Sequence, residues 1–349
     1  MAQGFATAPP KAGSAPPHAA PSQAPPGFSR RTYAALDLGT NNCRLLVARP
    51  AREGFVVVDA FSRIVRLGEG LSGSGRLSEE AMDRAVAALA ICAEKIRRRH
   101  VSLVRSVATE ACRRASNGRA FVDRVQAETG LVLDIIPPRE EARLAVIGCH
   151  ALLAPGDGPA LIFDIGGGST ELILIDDSNG EPVILDWFSA PWGVVSLTES
   201  EAHDAAGPEA RIAIYLRMRE RIAEAFERFA GTLRAHHLPQ ARLLGTSGTV
   251  TTLASLHLGL PTYDRRAVDG LIVPCIDMRA ISTRLSAMSV TERSQLPCIG
   301  GERADLVVAG CAILEAILDI WPAEQLGIAD RGIREGILRT LMARGSRIA

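Results

Sequence analysis

Two aspartates in this chain of 349 residues stand in the same local pattern. Asp37 and Asp164 each close an apolar run and are followed by an apolar residue, a glycine turn and a second apolar run. Glycine lets backbone N–H groups approach a ligand without a Cβ in the way, and convergent amides favour anions such as phosphate. Phosphate chemistry usually requires a hard cation such as Mg²⁺, which prefers oxygen ligands. The repeated pattern therefore predicts a phosphate site with Asp37 and Asp164 as metal ligands.

The residues of the two turns are the candidate phosphate contacts. A single short pattern of this kind is explained equally well by an ordinary glycine hairpin. Two of them in register in one chain are much harder to explain in that way. The candidates are Gly39, Thr40 and Asn41 in the first turn and Gly166, Gly167, Gly168 and Ser169 in the second.

A third glycine segment, "LLGTSGTVTTLASLHLG", passes from an apolar run into a helical pattern. Backbone amides at a helix N-terminus meet the positive end of the helix dipole and suit an anion. Thr246, Ser247, Gly248 and Thr249 are therefore predicted to form a second anion site. Ser and Thr also serve as simple N-caps, so this segment alone leaves both interpretations open.

The elements that carry these residues follow from the apolar runs. Apolar residues resume directly after the first two turns, which predicts strand, tight turn and strand. A P-loop would instead lead into a helix and end in GK[ST], which is missing here. Strand-like and helix-like segments interleave along the chain, which predicts an α/β fold. Because the hairpin plan occurs twice, two similar domains should face each other across a cleft.

Helical periodicity is clearest in "LSEEAMDRAVAALAICAEKIRRR", where Ser78 is the predicted N-cap. A further helix is predicted just past Pro137 and Pro138, because proline fits a first helical turn. The remaining expectations in this region are strands over residues 101–107 and 131–136 and helices over 110–115 and 119–129.

The composition limits which partners and which cellular compartment are expected. With 39 basic and 39 acidic side chains, bulk charge gives no reason to expect nucleic acid or a membrane surface as partner. The seven cysteines lack CxxC spacing, which argues against disulfide and zinc frameworks and for a reducing cytoplasm. Residues 1–30 are Ala- and Pro-rich and are predicted to be disordered, without a signal peptide. Monomer and homodimer both remain open.

Seven motifs occur here in the order found in one known family. They are "ALDLGTNNCRLLVAR", "VATEACRRASN", "EEARLAVIG", "FDIGGGSTELILI", "GTSGTVTTLA", "ERADLVVAGCAIL" and "DRGIREGIL". Over roughly residues 33–341 the chain resembles the exopolyphosphatase and guanosine pentaphosphate phosphatase (Ppx/GppA) family. The resemblance implies two duplicated RNase H-like domains around a central cleft, as in the actin, hexokinase and Hsp70 superfamily.

The resemblance also implies domain limits. Domain I would comprise residues 31–139 and 327–349, with the last helix returning onto it, and domain II would comprise residues 140–326. Long members of the family carry an additional helical C-terminal region, so this chain resembles the short form. Weaker processivity on long polyphosphate is expected for that form.

Several site residues are implied only by the resemblance. Glu141, in "EEAR", matches the catalytic glutamate that acts as general base, although "PPR" precedes it where the family usually has Ser-Gly. Arg113 matches an active-site arginine that would clamp the terminal phosphate. Asp164 and Glu171 match acidic positions associated with the metal, and Asp37 matches the acid of the first phosphate loop. Alternation along "STELILID" would also explain Glu171 as an exposed strand acid.

The implied function is release of terminal orthophosphate from inorganic polyphosphate or pppGpp, assisted by Mg²⁺ or Mn²⁺. Two other classes remain open. A kinase of the same fold would use the hairpins to hold ATP, and a non-catalytic sensor would bind guanosine polyphosphates without needing Glu141. The joint presence of the matched acids and arginine favours catalysis, while the preference between polyphosphate and pppGpp stays undetermined.

Overall fold

A computed structural model describes residues 31–156, 158–201, 203–205, 207–235 and 241–347. The segment 1–30, which was predicted to be disordered, lies outside these residues. Within the described ranges, no helix combines the length and apolar character needed to cross a membrane.

The first half is built on a mixed sheet with five described strands in the order β3-β2-β1-β4-β5. β1 pairs antiparallel with β2 and parallel with β4, so the first hairpin lies at the centre of the sheet. Strand alternation buries one face of this sheet against the helices α1 to α4. The elements are β1 (Tyr33–Leu38), β2 (Asn42–Pro50), β3 (Phe55–Ile64), α1 (Leu71–Ser74), α2 (Glu79–Arg98), β4 (Leu103–Ala108), α3 (Glu110–Arg114), α4 (Gly118–Thr129) and β5 (Leu133–Ile135).

The second half repeats this plan with six described strands in the order β10-β11-β9-β6-β7-β8. β6 pairs antiparallel with β7 and parallel with β9, as β1 does with β2 and β4. The elements are α5 (Pro138–Cys149), β6 (Ala160–Ile165), β7 (Thr170–Asp176), β8 (Val183–Ala190), α6 (Val194–Ser200), α7 (Pro208–Ala235), β9 (Arg242–Thr246), α8 (Gly248–His257), α9 (Arg265–Val268), β10 (Ile272–Pro274), α10 (Cys275–Ala287), α11 (Val290–Ser294), α12 (Val307–Ile320), β11 (Gln325–Ala329) and α13 (Ile333–Arg347), with 3-10 turns at His150–Leu152 and His203–Ala205.

The predicted α/β fold with a duplicated hairpin plan is confirmed by these two sheets. The local predictions also agree with the structure. The hydroxyl of Ser78 accepts a hydrogen bond from the N–H of Ala81 at 3.2 Å and begins α2. Pro137 is the N-cap and Pro138 the first residue of α5, so the two prolines start this helix.

Helices α5 and α13 pack against each other between the two sheets. Leu144 of α5 joins Ile337 of α13 in a core on the first sheet, whereas Ala145 joins a core on the second sheet. The helices approach closely because both carry glycine. A Cβ on Gly336 would lie 2.0 Å from the carbonyl oxygen of Leu144, and one on Gly148 would lie equally close to Gly332.

The predicted domain limits need adjustment at the C-terminal side. β11 pairs with β9 and β10 and so belongs to the second sheet, but the predicted limit after residue 326 divides it. In the described chain after β11, it is α13 that packs on the first sheet. The earlier limit after residue 139 falls within the first turn of α5, the helix shared by both halves.

Candidate active site

The two hairpin turns have the same backbone geometry. The N–H of Gly39 donates to the carbonyl of Asn42 at 2.9 Å, and the N–H of Gly166 donates to the carbonyl of Ser169 at 2.9 Å. These two amides close their own turns and are not available to a ligand. The amides at the tips differ, because those of residues 40, 41, 167 and 168 donate to no protein group in the described chain.

The glycines of the second turn permit contact between the two halves. A Cβ on Gly167 would lie 2.9 Å from the Cβ of Thr40, and one on Gly168 would lie 2.7 Å from the Thr40 hydroxyl. The same Cβ on Gly168 would lie 3.0 Å from Cγ of Glu110 in α3. These glycines therefore bring the two hairpin tips together, in addition to any approach to a ligand.

A cavity of about 140 Å³ lies between the halves, at the tips of both hairpins. Most predicted site residues line it, together with several that the sequence analysis did not select. The predicted ones are Asp37, Gly39, Thr40, Asn41, Glu141, Asp164, Gly166, Gly167, Gly168, Ser169, Ser247, Gly248 and Thr249, and the additional polar ones are Asn42, Arg44, Thr109, Glu110, Thr252 and Arg303. Thr246 lines a smaller neighbouring cavity of about 50 Å³, whereas Arg113 and Glu171 line neither.

Asp37 and Asp164 occupy equivalent positions at the ends of β1 and β6 and face the cavity. Burial is the main cause that raises the pKa of both carboxyls, and the pKa of Asp164 reaches about 8. Repulsion from Glu171 and Asp37 adds to the effect on Asp164, while Arg44 opposes it. Oδ1 of Asp37 is buried and has no hydrogen-bond partner among the described residues. Arg44 and Arg334 oppose the effect of burial on Asp37 without outweighing it, so two such carboxyls suit a bound cation.

For Glu171, the alternative interpretation as an exposed strand acid is wrong. It is buried rather than exposed, and its Oε1 accepts hydrogen bonds from Ser169 at 2.8 Å and Ser189 at 2.9 Å. Burial raises its pKa, and the two serine hydroxyls oppose this. The predicted set of three carboxylate ligands is not assembled: among the described residues, no three His, Cys, Asp or Glu side chains form a metal-binding group.

Glu141 lies in the first helical turns of α5 and lines the cavity although only 7% of the residue is exposed. Its Oε2 accepts a hydrogen bond from Nη1 of Arg113 at 3.2 Å. Burial, followed by repulsion from Glu171, raises the pKa of Glu141 well above the usual range, and Arg113 opposes this. The two prolines that start α5 therefore leave the glutamate facing the cavity.

Arg113 is held beside the cavity and does not line it. Its Nε and Nη2 donate to Oε2 of Glu110 at 3.1 and 2.7 Å. Its Nη1 donates to the carbonyl of Ile136 at 2.6 Å as well as to Glu141. The guanidinium is therefore engaged by protein acceptors, and the phosphate-clamp role that the family resemblance implies stays a prediction.

Two other arginines face the cavity instead. Nη1 of Arg303 and Nη2 of Arg44 would lie 3.8 and 4.0 Å from a Cβ on Gly248, so both approach the start of α8. Neither guanidinium makes a hydrogen bond or an ion pair with another residue of the described chain. Arg44 could have been found from the sequence, because counting across the hairpin places it opposite Asp37. Arg303 lies in the motif "ERADLVVAGCAIL", but its place at the cavity could not be predicted, because only tertiary packing brings the loop before α12 there.

The third predicted segment starts α8, as expected, but part of its backbone is already used. The Ser247 hydroxyl accepts hydrogen bonds from the N–H groups of Thr249 at 3.1 Å and Val250 at 3.3 Å. The Thr246 hydroxyl donates to the carbonyl of Arg331 at 2.7 Å. The simple N-cap interpretation therefore applies to Ser247, and Ser247, Gly248 and Thr249 all line the cavity.

Comparison with known proteins agrees with this architecture. The model of the Ppx/GppA phosphatase family matches residues 46–344. The chain belongs to the Ppx/GppA phosphatase family. It is 33% identical over 323 residues to Exopolyphosphatase 2 of Mycobacterium tuberculosis, an alignment that covers 88% of this chain and 98% of that protein.

The chain also resembles a pyrophosphatase and two proteins of solved structure. The chain is 30% identical over 313 residues to the guanosine-5'-triphosphate,3'-diphosphate pyrophosphatase of Aeromonas hydrophila, which covers 89% of this chain but 59% of that longer protein. The solved exopolyphosphatase of Cytophaga hutchinsonii superposes with a TM-score of 0.80 at 25% identity, over 90% of this chain and 98% of that one. The Aquifex aeolicus member of the family superposes with a TM-score of 0.72 at 28% identity, over 90% and 98%.

Proposed function

We propose that this protein is a phosphohydrolase that releases terminal orthophosphate from inorganic polyphosphate, from pppGpp, or from both. The observation that carries the proposal is the buried Glu141 carboxyl, which shares one cavity with two arginines whose guanidinium groups make no hydrogen bond or ion pair with another described residue. The names of the relatives support the same reaction class, because they include exopolyphosphatases and a guanosine pentaphosphate pyrophosphatase.

The role of each residue in the reaction follows from the side chains around the cavity. Phosphoryl transfer to water depends mainly on positioning and on stabilising the charge of the phosphate oxygens. Arg44 and Arg303 supply positive charge, and the unpaired amides at the two hairpin tips supply donors. Glu141 takes the proton of the attacking water, which requires its carboxylate form. Burial excludes bulk water and strengthens each of these interactions.

We further propose that Mg²⁺, or Mn²⁺, is held by Asp37 and Asp164. Mg²⁺ is commonly bound by one or two carboxylates together with substrate phosphate oxygens, so a closed protein cage is unnecessary. The raised pKa values of both acids and the unpartnered Oδ1 of Asp37 fit this assignment. The bound cation would neutralise phosphate charge during transfer. Glu171 stays behind the cavity and supports the second turn through Ser169.

The partner is accordingly a phosphate chain with or without a guanosine. The free thiols, most of them buried, suit a reducing cytoplasm, and we propose that compartment. We propose neither nucleic acid nor a membrane as a partner.

The experiment is orthophosphate release from polyphosphate, pppGpp and ATP, compared side by side with Mg²⁺ and with excess chelator. We expect release from polyphosphate or pppGpp, with loss of activity on chelation. Tight binding of both substrates without release would establish a sensor instead. Consumption of ATP with transfer to a hydroxyl acceptor would establish a kinase.

A further inference from the structure

We propose that Glu110 is a positioning residue that acts through Arg113: it fixes the guanidinium in the orientation that holds the Glu141 carboxylate. The inference rests on the proposed function of Glu141 and adds a residue that the sequence analysis did not select. Glu110 lines the cavity, yet its contacts are directed at Arg113.

The hydrogen bonds of Arg113 show how the orientation is set. A guanidinium has five N–H donors in a fixed planar fork. Glu110 occupies the Nε edge and one Nη2 donor, and both bonds end on the same oxygen, Oε2. The two Nη1 donors then point to the carbonyl of Ile136 and to Oε2 of Glu141. Because the fork is rigid, binding at the Nε edge determines where Nη1 points.

The other half of the molecule restrains Glu110 in turn. A Cβ on Gly168 would lie 3.0 Å from Cγ and 3.4 Å from Cβ of Glu110. The second hairpin tip thus packs against the side chain that orients Arg113. Through this contact the arrangement of Glu141 depends on the seating of the two hairpin tips against each other.

The charge of Glu110 also contributes to the orientation of the Arg113 guanidinium. One guanidinium lies between two carboxylates, with side-chain exposures of 19% for Arg113, 17% for Glu110 and 9% for Glu141. With Glu110 neutralised, the Nε edge loses its charged acceptor and the fork is free to turn towards Glu141 or towards phosphate in the cavity. Either movement displaces the base from the position that Nη1 and the carbonyl of Ile136 define.

A double-mutant cycle of Glu110→Gln and Arg113→Ala tests the proposal. We expect Glu110→Gln to lower kcat by about 10- to 100-fold with little change in KM, which is the scale of misplacement of a catalytic group. In the Arg113→Ala background, the same change should alter kcat by less than about 2-fold, because residues acting as one unit are not additive. Arg113→Lys, which keeps the charge without the fork, provides a second background if Arg113→Ala fails to fold.

Glu140→Gln is the matched control on the neighbouring helix. Glu140 forms ion pairs with Arg105 and Arg143, away from the cavity lining, and its neutralisation should leave kcat unchanged. A kcat for Glu110→Gln equal to the parent value would overturn the proposal. So would an equal loss in both the parent and the Arg113→Ala background, because Glu110 would then act directly in the cavity.

An activity-independent measurement separates this proposal from the proposed function. In arginine Nε NMR spectra, the Nε–H of Arg113 should exchange slowly with solvent in the parent and in Glu140→Gln. It should exchange faster in Glu110→Gln. Unchanged exchange in Glu110→Gln would refute the positioning role even if the parent hydrolysed phosphate anhydrides. A parent without phosphatase activity would refute the proposed function and leave this measurement intact.

Discussion

Substitution of Glu141 by Gln should separate the catalytic role of this residue from its effect on stability. Gln keeps the size and hydrogen-bonding capacity of the side chain but removes the basic carboxylate. General-base catalysis contributes about 10² to 10⁴-fold, so kcat should fall by that factor, with KM changing little. At about 1.36 kcal/mol per factor of ten, the loss corresponds to roughly 2.7–5.4 kcal/mol of transition-state stabilisation.

The stability of Glu141→Gln should rise, although its kcat falls. The pKa of Glu141 is raised in the folded protein, chiefly by burial and by Glu171. The folded state therefore binds more protons than the unfolded chain at pH values above the usual carboxyl range. Stability is accordingly lost as pH rises from there towards the folded pKa. Glu141→Gln removes this penalty, so its melting temperature near neutral pH should exceed that of the parent.

Glu140 on the same helix gives the opposite sign and serves as the control. Arg143, followed by Arg105, lowers the pKa of Glu140 to about 2, against the opposing effect of partial burial. Its ion pairs stabilise the fold above the usual carboxyl pKa, and this contribution is lost as pH falls towards 2. Glu140→Gln should therefore keep kcat and slightly lower the melting temperature at pH 7. Orthophosphate release and differential scanning calorimetry measure both pairs of effects. Parent-like hydrolysis by Glu141→Gln, or a lower melting temperature for it at pH 7, would refute the reasoning.

Three further predictions concern binding, the metal and packing. Arg303→Ala should raise KM for polyphosphate more than tenfold and flatten its salt dependence, because a cation without a protein partner is lost; an unchanged KM would contradict this. Asp164→Asn should raise the Mg²⁺ concentration needed for half-maximal activity, because one anionic ligand is lost; an unaltered Mg²⁺ titration would argue against the site. Gly336→Ala should destabilise the fold by more than about 2 kcal/mol in urea unfolding, because its Cβ would meet the Leu144 carbonyl at 2.0 Å. Gly231→Ala in α7, where a Cβ meets nothing within 4 Å, should instead stabilise by about 0.5–1 kcal/mol, and equal effects would exclude the clash.

The sequence by itself determined the fold and the chemical character of the site. The repeated run of acid, glycine turn and strand could only be satisfied by two hairpins, and the structure contains both at the centres of similar sheets. The acids at the strand ends and the helix start at Pro138 followed from local rules, because strand period, turn chemistry and proline position depend on neighbouring residues.

Tertiary structure alone decided which partners the charged side chains at the site have. Whether Arg113 faces phosphate or the acids Glu110 and Glu141 depends on where the fold places the start of α5 relative to α3, which no local pattern encodes. The alternation of the strand would place Glu171 on an exposed face. It is nevertheless buried, because the second sheet is covered at this point, and the hydroxyls of Ser169 and Ser189 donate hydrogen bonds to its carboxylate. Arg303 reaches the cavity from a distant loop. Positions of this kind are set by long-range contacts, whereas sequence patterns report the conformation of residues close along the chain.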